Sequence, residues 1–216
     1  MFQLKRMFQR LQFLVLPAAL GVMTLSPLGA APADSDGNVT FKMVVSAAGK
    51  ACLPDATGMV TITPGVQAET MDVSVQGLAP ETEFEFFVIQ VPKAPFGVAW
   101  YQGSIVTDKK GRGRQQFVGR FSIETFSTAQ GSAPAPVVFG TGPFPDANTN
   151  PVFQPVHSYH LGLWFSSPEA AQAANCPAVS TPFSGEHTAG FQILNTSNFP
   201  DDHGPLRDVA SATSKK

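Results

Sequence analysis

The sequence predicts a mainly β protein built as a β-sandwich. Between residues 71 and 76, Met71, Val73 and Val75 alternate with polar residues, and the alternation resumes from Phe84. A period of two places the apolar side chains on one face of a strand. The chain also holds 19 Gly and 19 Pro, and only 14% of its residues are charged. Few charges and many chain breakers favour short strands joined by ordered loops. Each apolar face needs a partner sheet, which predicts a sandwich.

The turn between these two strands reads Gly77-Leu78-Ala79-Pro80-Glu81-Thr82-Glu83-Phe84. It resembles the corner between strands E and F of fibronectin type III and immunoglobulin-like sandwiches, which reads roughly G-L-x-P-x-T-x-Y. The resemblance implies that fold class, with Leu78 closing the end of the core and Phe84 beginning an inward-facing row. Phe84 stands where the family has Tyr, so this position supplies no hydroxyl to hold the corner. The resemblance carries no functional residue.

The remaining elements of the core are predicted between residues 34 and 126. Pro92 and Pro95 predict a loop or rigid edge, because two prolines so close cannot both lie in a paired strand. Residues 108–113 predict a hairpin turn, in which Gly supplies the positive φ. Trp100 and Tyr101 are adjacent and must face opposite sides of their strand. The predicted strands are 39–45, 59–63, 71–76, 84–91, 98–107 and 115–123.

A second region, residues 127–207, is predicted to pack on the sandwich as part of the same domain. Its proline-rich beginning, 127–156, predicts a wrapping loop with apolar anchors, or alternatively a flexible linker. Ser167 and Pro168 predict the start of one short helix over 167–174. Strands are predicted at 156–165 and 189–195, with a turn at 181–185 between them. Residues 208–216 are predicted to be a disordered tail.

The N-terminus has the pattern of a secretory signal peptide over residues 1–33. Lys5, Arg6 and Arg10 precede an apolar run over 11–25, and small residues follow up to Ala33. A retained membrane anchor is the alternative, but the run is shorter than the ~20 residues that span a bilayer. We therefore expect a secreted or periplasmic protein of the cell envelope, with no stable membrane span after cleavage.

Charge argues against a nucleic-acid partner. Removing the three cations of the predicted signal takes the formal net charge from −2 to −5. A mildly acidic chain with scattered charges lacks the basic stripe that nucleic-acid binding requires. A protein or carbohydrate ligand fits this composition better.

Cys52 and Cys176 are the only cysteines of the chain. In an exported protein, two cysteines most simply form one disulfide, which the sequence therefore predicts. A catalytic thiol is the competing interpretation, but neither cysteine lies in a C-x-x-C motif or beside a histidine.

The histidines suggest a copper or zinc site as a second hypothesis. His157, His160, His187 and His203 all lie in the last third of the chain, and Glu186 precedes His187. Imidazole and carboxylate ligands suit these metals. The spacing of three between His157 and His160 puts their rings on opposite faces of a strand. His157 shares its face with Tyr159 and Leu161, which suggests instead a hydrogen-bonded core histidine.

A partner site is predicted around Trp164. The strand 156–165 carries apolar residues on both faces, which a half-exposed strand would not need. Either Trp164 is covered, or it forms an exposed binding patch with loop aromatics such as Phe183 and Phe199.

Motifs for catalysis are not visible in the sequence: Ser184 lies in F-S-G-E-H rather than in a G-x-S-x-G elbow. The sequence therefore favours a non-catalytic binding, adhesion or envelope-associated module without a cofactor. A metal-dependent enzyme or redox protein that uses the C-terminal histidines is the alternative.

Overall fold

The computed structural model describes residues 33–122, 156–184 and 187–209, except for the side chains of 182–184, 187 and 188. The described chain is mainly β, as predicted. One short helix, α1, covers Pro168–Ala173, and single 3-10 turns cover Gly49–Ala51 and Pro205–Asp208. The strands are β1 Val39–Val45, β2 Thr57–Thr63, β3 Glu69–Gln76, β4 Glu83–Ile89, β5 Ala99–Val106, β6 Gly113–Gly119, β7 His160–Phe165, β8 Thr181–Ser184, β9 His187–Ala189 and β10 Gln192–Asn195.

Eight of these strands form one antiparallel sheet in the order β5-β4-β7-β10-β1-β2-β3-β6. The two end strands, β5 and β6, are joined by a tight hairpin turn, so the sheet curls until its ends approach and becomes nearly barrel-shaped. Strands β7 and β10 come from the predicted C-terminal region and lie in the middle of the sheet, between β4 and β1. The regions 34–126 and 127–207 therefore share one sheet. The finer assignment to an immunoglobulin- or fibronectin-like sandwich stays a prediction.

The inner face of this curved sheet holds the main core. Alternate residues of β1, β3, β4 and β7 point inward, which is why their sequences have a period of two. Leu78, from the corner after β3, is buried with them, and Phe86 stacks on Phe117 across the gap between the sheet ends, with ring centroids 5.4 Å apart. The largest side chains that are fully buried in this core are Met43, Ile62, Met71, Phe84, Phe86, Ile105, Leu161, Leu163 and Phe165.

A second, smaller apolar cluster lies on the outer face of β4 and β7. Phe87, Ile89, Trp164 and Ala189 are buried there, and Phe96 packs against them. The indole of Trp164 lies over Gly162, where any Cβ would collide with its ring. We name this cluster the outer layer. Because it covers the second face of β7, it explains why that strand is apolar on both sides.

The helix and the disulfide confirm two local predictions. Ser167 Oγ accepts a hydrogen bond from the backbone N–H of Ala170 at 3.1 Å, which caps α1. Cys176 follows the helix and is bonded to Cys52, with the two Cα atoms 5.2 Å apart. The bridge links the 3-10 turn after β1 to the end of α1, across 124 residues of sequence.

Three boundaries in the C-terminal region differ from the prediction. Strand β7 begins at His160, not at residue 156, which forms only an isolated bridge. Residues 181–184, predicted as part of a turn, form β8, because β9 returns antiparallel and pairs with it. The predicted last strand is interrupted at Gly190, whose Cα lies so close to the Ser167 carbonyl that no side chain fits.

Several predictions fall on residues that the structure does not describe. The signal peptide lies outside the described residues up to residue 32, as do the wrapping loop from 127 to 155 and the tail from residue 210. Among the described residues, no helix is long and apolar enough to cross a membrane.

Candidate functional site: a groove beside the outer layer

A groove of about 460 Å³ lies where the outer layer stops short of β1 and β10. Four segments that are distant in sequence form its walls: the residues after β1, the loop before β5, the approach to β8, and the start of β10. The described residues that line it are Ser46, Ala47, Ala48, Lys93, Ala94, Phe96, Val179, Ser180, Thr181, Phe191, Gln192 and Asn195. We call this the side groove.

The loop between β4 and β5 forms one wall and is held by its own backbone. Val91 N–H donates to the Phe96 carbonyl at 3.0 Å, and Phe96 N–H donates to the Lys93 carbonyl at 2.9 Å. The prolines at 92 and 95 therefore sit in a tight loop, as predicted. This loop places the Phe96 ring against Trp164, with centroids 5.2 Å apart, so the side groove and the outer layer share one aromatic wall.

The polar side chains on the groove floor are already hydrogen-bonded to the protein. Ser46 Oγ donates to the Gln192 carbonyl at 2.8 Å and accepts from Gly49 N–H at 3.0 Å. Gln192 Nε2 donates to the Pro92 carbonyl at 3.2 Å, and Gln192 Oε1 accepts from Asn195 Nδ2 at 3.0 Å. Ser46, Gln192 and Asn195 therefore leave few donors and acceptors for a ligand, and the exposed Ser180 hydroxyl is a further polar group of the lining.

The charged group of the groove lies at its rim. Of the described lining residues, only Lys93 is charged, and its side chain is 63% exposed. Its Nζ lies 3.8 Å from a carboxylate oxygen of Asp201, whose side chain is 60% exposed. An ion pair this long and exposed holds the ammonium group weakly, since such pairs are typically worth ~0–1 kcal/mol. The Lys93 ammonium group therefore remains accessible to a ligand.

His160 is the buried histidine of the strand. Its Nε2 faces the carbonyl oxygens of Pro200 and Asp201 at 3.1 and 3.3 Å, so this nitrogen carries the proton. Nδ1 then accepts from the Thr196 hydroxyl at 2.9 Å. Burial lowers the pKa of His160, and the hydrogen bonds to the Asp201 and Pro200 backbone oppose this effect. With both nitrogens engaged, His160 has no lone pair left for a metal ion.

The interpretation of His157 as a core histidine is wrong. His157 lies before β7, is half-buried, and stacks on Tyr159 with ring centroids 5.0 Å apart. The strand begins only at His160, so the alternation of faces does not extend back to His157. The period of two within β7 therefore does not fix the direction of the His157 side chain.

The remaining predicted metal ligands do not converge in the described part of the chain. His203 Nε2 lies 3.1 Å from an Asp208 carboxylate oxygen, and Arg207 donates to its Nδ1. Across the described ranges, no group of three or more His, Cys, Asp or Glu side chains is arranged to hold a metal. The side chains of Glu186 and His187 lie outside the described residues, so a copper or zinc site that includes them stays a prediction.

The predicted aromatic patch is not assembled as one surface from its described members. Trp164 is 0% exposed and lies in the outer layer, which matches the covered alternative. Phe199 packs edge-on against Phe41, with ring centroids 6.0 Å apart, at the main core. The Phe183 side chain lies outside the described residues.

Sequence reasoning missed the residues that form the side groove. Lys93 and Phe96 lie within or beside the predicted loop at Pro92 and Pro95, Phe191 lies in the predicted strand 189–195, and no element is predicted at Val179. Nothing in their local sequence signals a common site, because more than 80 positions separate the first two from the last two. A comparison of the chain with protein families and with curated proteins found no match.

Proposed function

We propose that this protein is an exported, non-catalytic binding module of the cell envelope, and that its ligand sits in the side groove. The observation that carries the proposal is the groove itself. Its volume of about 460 Å³ lies in the range of ~300–1,000 Å³ that is typical of ligand pockets. Phe96 and Val179 give it an apolar surface beside Lys93, the charged residue among the described lining residues, which is the combination expected of a binding site.

Two features support an exported setting. The disulfide between Cys52 and Cys176 is of the kind that persists in oxidising compartments. The order of basic, apolar and small residues at the N-terminus fits a secretory signal. The corner at residues 77–84 further supports a relation to fibronectin- or immunoglobulin-like sandwiches, a class of fold that includes many cell-surface domains.

The groove is tested with N-phenyl-1-naphthylamine, an uncharged dye whose fluorescence rises in apolar surroundings. We expect the purified protein to bind one dye molecule, and Val179→Asp to weaken that binding about tenfold or more, the effect of losing ~1.4 kcal/mol. Val179 is 51% exposed on the groove wall, so the substitution adds a charge to the site without disturbing the core.

Val118→Asp is the matched control. Val118 is 67% exposed on β6, outside the groove, and receives the same substitution. The proposal predicts unchanged dye binding in this variant. Failure of the wild-type protein to bind the dye, or equal loss in both variants, would refute the side groove as a binding site.

A further inference from the structure

We infer that the ligand of the side groove is an amphipathic anion, such as a medium-chain carboxylate, with its chain on the groove floor and its charged group at Lys93. This inference rests on the proposed binding function and names the chemical class of the ligand. It follows from two properties of the groove: most polar side chains of its walls are already hydrogen-bonded, and its rim carries the positive charge of Lys93.

The walls favour a ligand body that makes few hydrogen bonds, because four of their polar side chains are engaged and the exposed Ser180 hydroxyl is the remaining one among the described uncharged lining residues. Ser46, Gln192 and Asn195 use their side-chain polar atoms on one another or on the backbone, as described above. Thr181 Oγ1 likewise donates to the Gly190 carbonyl at 2.9 Å. A carbohydrate would bury hydroxyl groups against these engaged partners, and each buried hydroxyl left unsatisfied costs ~1–3 kcal/mol. A hydrocarbon chain incurs no such cost.

The aromatic and aliphatic surfaces match such a chain. Phe96 and the half-exposed Val179 contribute apolar surface, and Ala47, Ala48 and Ala94 leave room beside them. Burial of a methylene group is worth ~0.8 kcal/mol, so several methylenes on this floor supply most of the binding free energy. The hydrocarbon chain of the ligand therefore determines affinity, while the rim of the groove determines which end group of the ligand is accepted.

The rim selects a negative end group. Lys93 is the charged residue among the described lining residues, and Asp201 holds it only weakly. The chain as a whole is acidic, with a formal net charge of −2. General electrostatics would therefore favour a cationic ligand, so a preference for an anion would have to arise locally, from Lys93.

The test compares two competitors of equal chain length and opposite charge. Decanoate and decyltrimethylammonium are each titrated, at pH 8 and below micelle-forming concentrations, into purified protein that carries bound N-phenyl-1-naphthylamine, and displacement of the dye is measured. We expect decanoate to be preferred about threefold to tenfold in the wild type. We expect Lys93→Gln to remove the preference and Lys93→Glu to reverse it.

Lys50→Glu is the matched control, because it makes the same change in net charge at an exposed residue outside the groove lining. It should leave the preference unchanged. The inference would be overturned if both competitors displaced the dye equally from the wild type, or if Lys50→Glu and Lys93→Glu had equal effects. In either case, dye binding would still support the groove as a binding site. A protein that does not bind the dye at all would refute the proposed function and this inference together.

Discussion

The hydroxyl of Thr107 donates a hydrogen bond to the carbonyl oxygen of Ala79 at 2.6 Å, and both residues are buried. The Thr107 hydroxyl oxygen also accepts a hydrogen bond from Thr82 N–H at 3.0 Å, and Thr107 N–H donates to the Thr82 carbonyl at 3.0 Å. The corner between β3 and β4 is thus tied to the end of β5. Phe84 has no hydroxyl to hold this corner, and the Thr107 hydroxyl holds it instead.

Thr107→Val should therefore destabilise the fold. Valine has the shape of threonine without the hydroxyl, so the buried Ala79 carbonyl and the half-buried Thr82 N–H both lose this hydrogen-bond partner. We expect the free energy of unfolding to fall by ~1–3 kcal/mol, measured by chemical denaturation. Thr63→Val is the control: Thr63 is exposed on β2, and its substitution should change stability by less than ~0.5 kcal/mol. Similar values for the two variants would contradict the role of Thr107.

Removal of the disulfide should weaken the link between the 3-10 turn after β1 and the end of α1. The double variant Cys52→Ala, Cys176→Ala should lose ~2–5 kcal/mol of unfolding free energy, because the unfolded chain gains the freedom that the bridge removes. Reduction of the wild type should produce the same loss. Thiol titration of the unreduced, denatured protein should find no free cysteine; two titratable thiols would show that the bridge does not form.

Trp164→Ala should be among the most damaging single substitutions. The indole is 0% exposed and makes edge-on contacts with Phe87 and Phe96, at centroid distances of 5.3 and 5.2 Å. Its loss leaves a cavity in the outer layer and should cost ~3–5 kcal/mol. Thermal melts measure the effect, with Tyr101→Ala as the control because Tyr101 is 53% exposed. An unchanged melting temperature for Trp164→Ala would mean that the outer layer does not cover this side chain.

His160 predicts a pH dependence of stability. Burial lowers its pKa in the folded state, so the unfolded chain binds a proton more readily. Its contribution to stability is therefore fully present above the unfolded pKa of ~6.5 and is lost as the pH falls through that value towards the lower folded pKa. Denaturation at a series of pH values from 8 to 5 should show this decline.

His160→Gln should flatten that pH dependence while lowering stability at every pH, because glutamine does not titrate and the bonds to Thr196 and the Pro200 carbonyl are disturbed. His157→Gln is the matched control, since His157 is half-buried outside the strand; the wild-type slope should remain. A pH dependence that survives unchanged in His160→Gln would contradict its assignment to His160.

The candidate site could be predicted only in part. The sequence placed Pro92 and Pro95 in a loop and identified an apolar strand with Trp164 on one face and Leu161, Leu163 and Phe165 on the other, and the structure has both. It gave no indication that Lys93, Val179 and Gln192 share a groove. Periodicity reports on residues two to four positions apart, whereas this groove is assembled from segments that meet only after the sheet has formed.

The sequence by itself determined the local structure: strands from alternation, the start of α1 from Ser167 and Pro168, and the single possible cysteine pair. Only the tertiary structure decided the order of the strands, with β7 and β10 between β4 and β1. It also decided that His160 rather than His157 is buried, and that the Thr107 hydroxyl holds the corner between β3 and β4. Each of these depends on contacts between residues far apart in the chain. Local sequence permits several strand pairings equally well, and the one that forms is the one that satisfies the backbone hydrogen bonds and buries the apolar side chains.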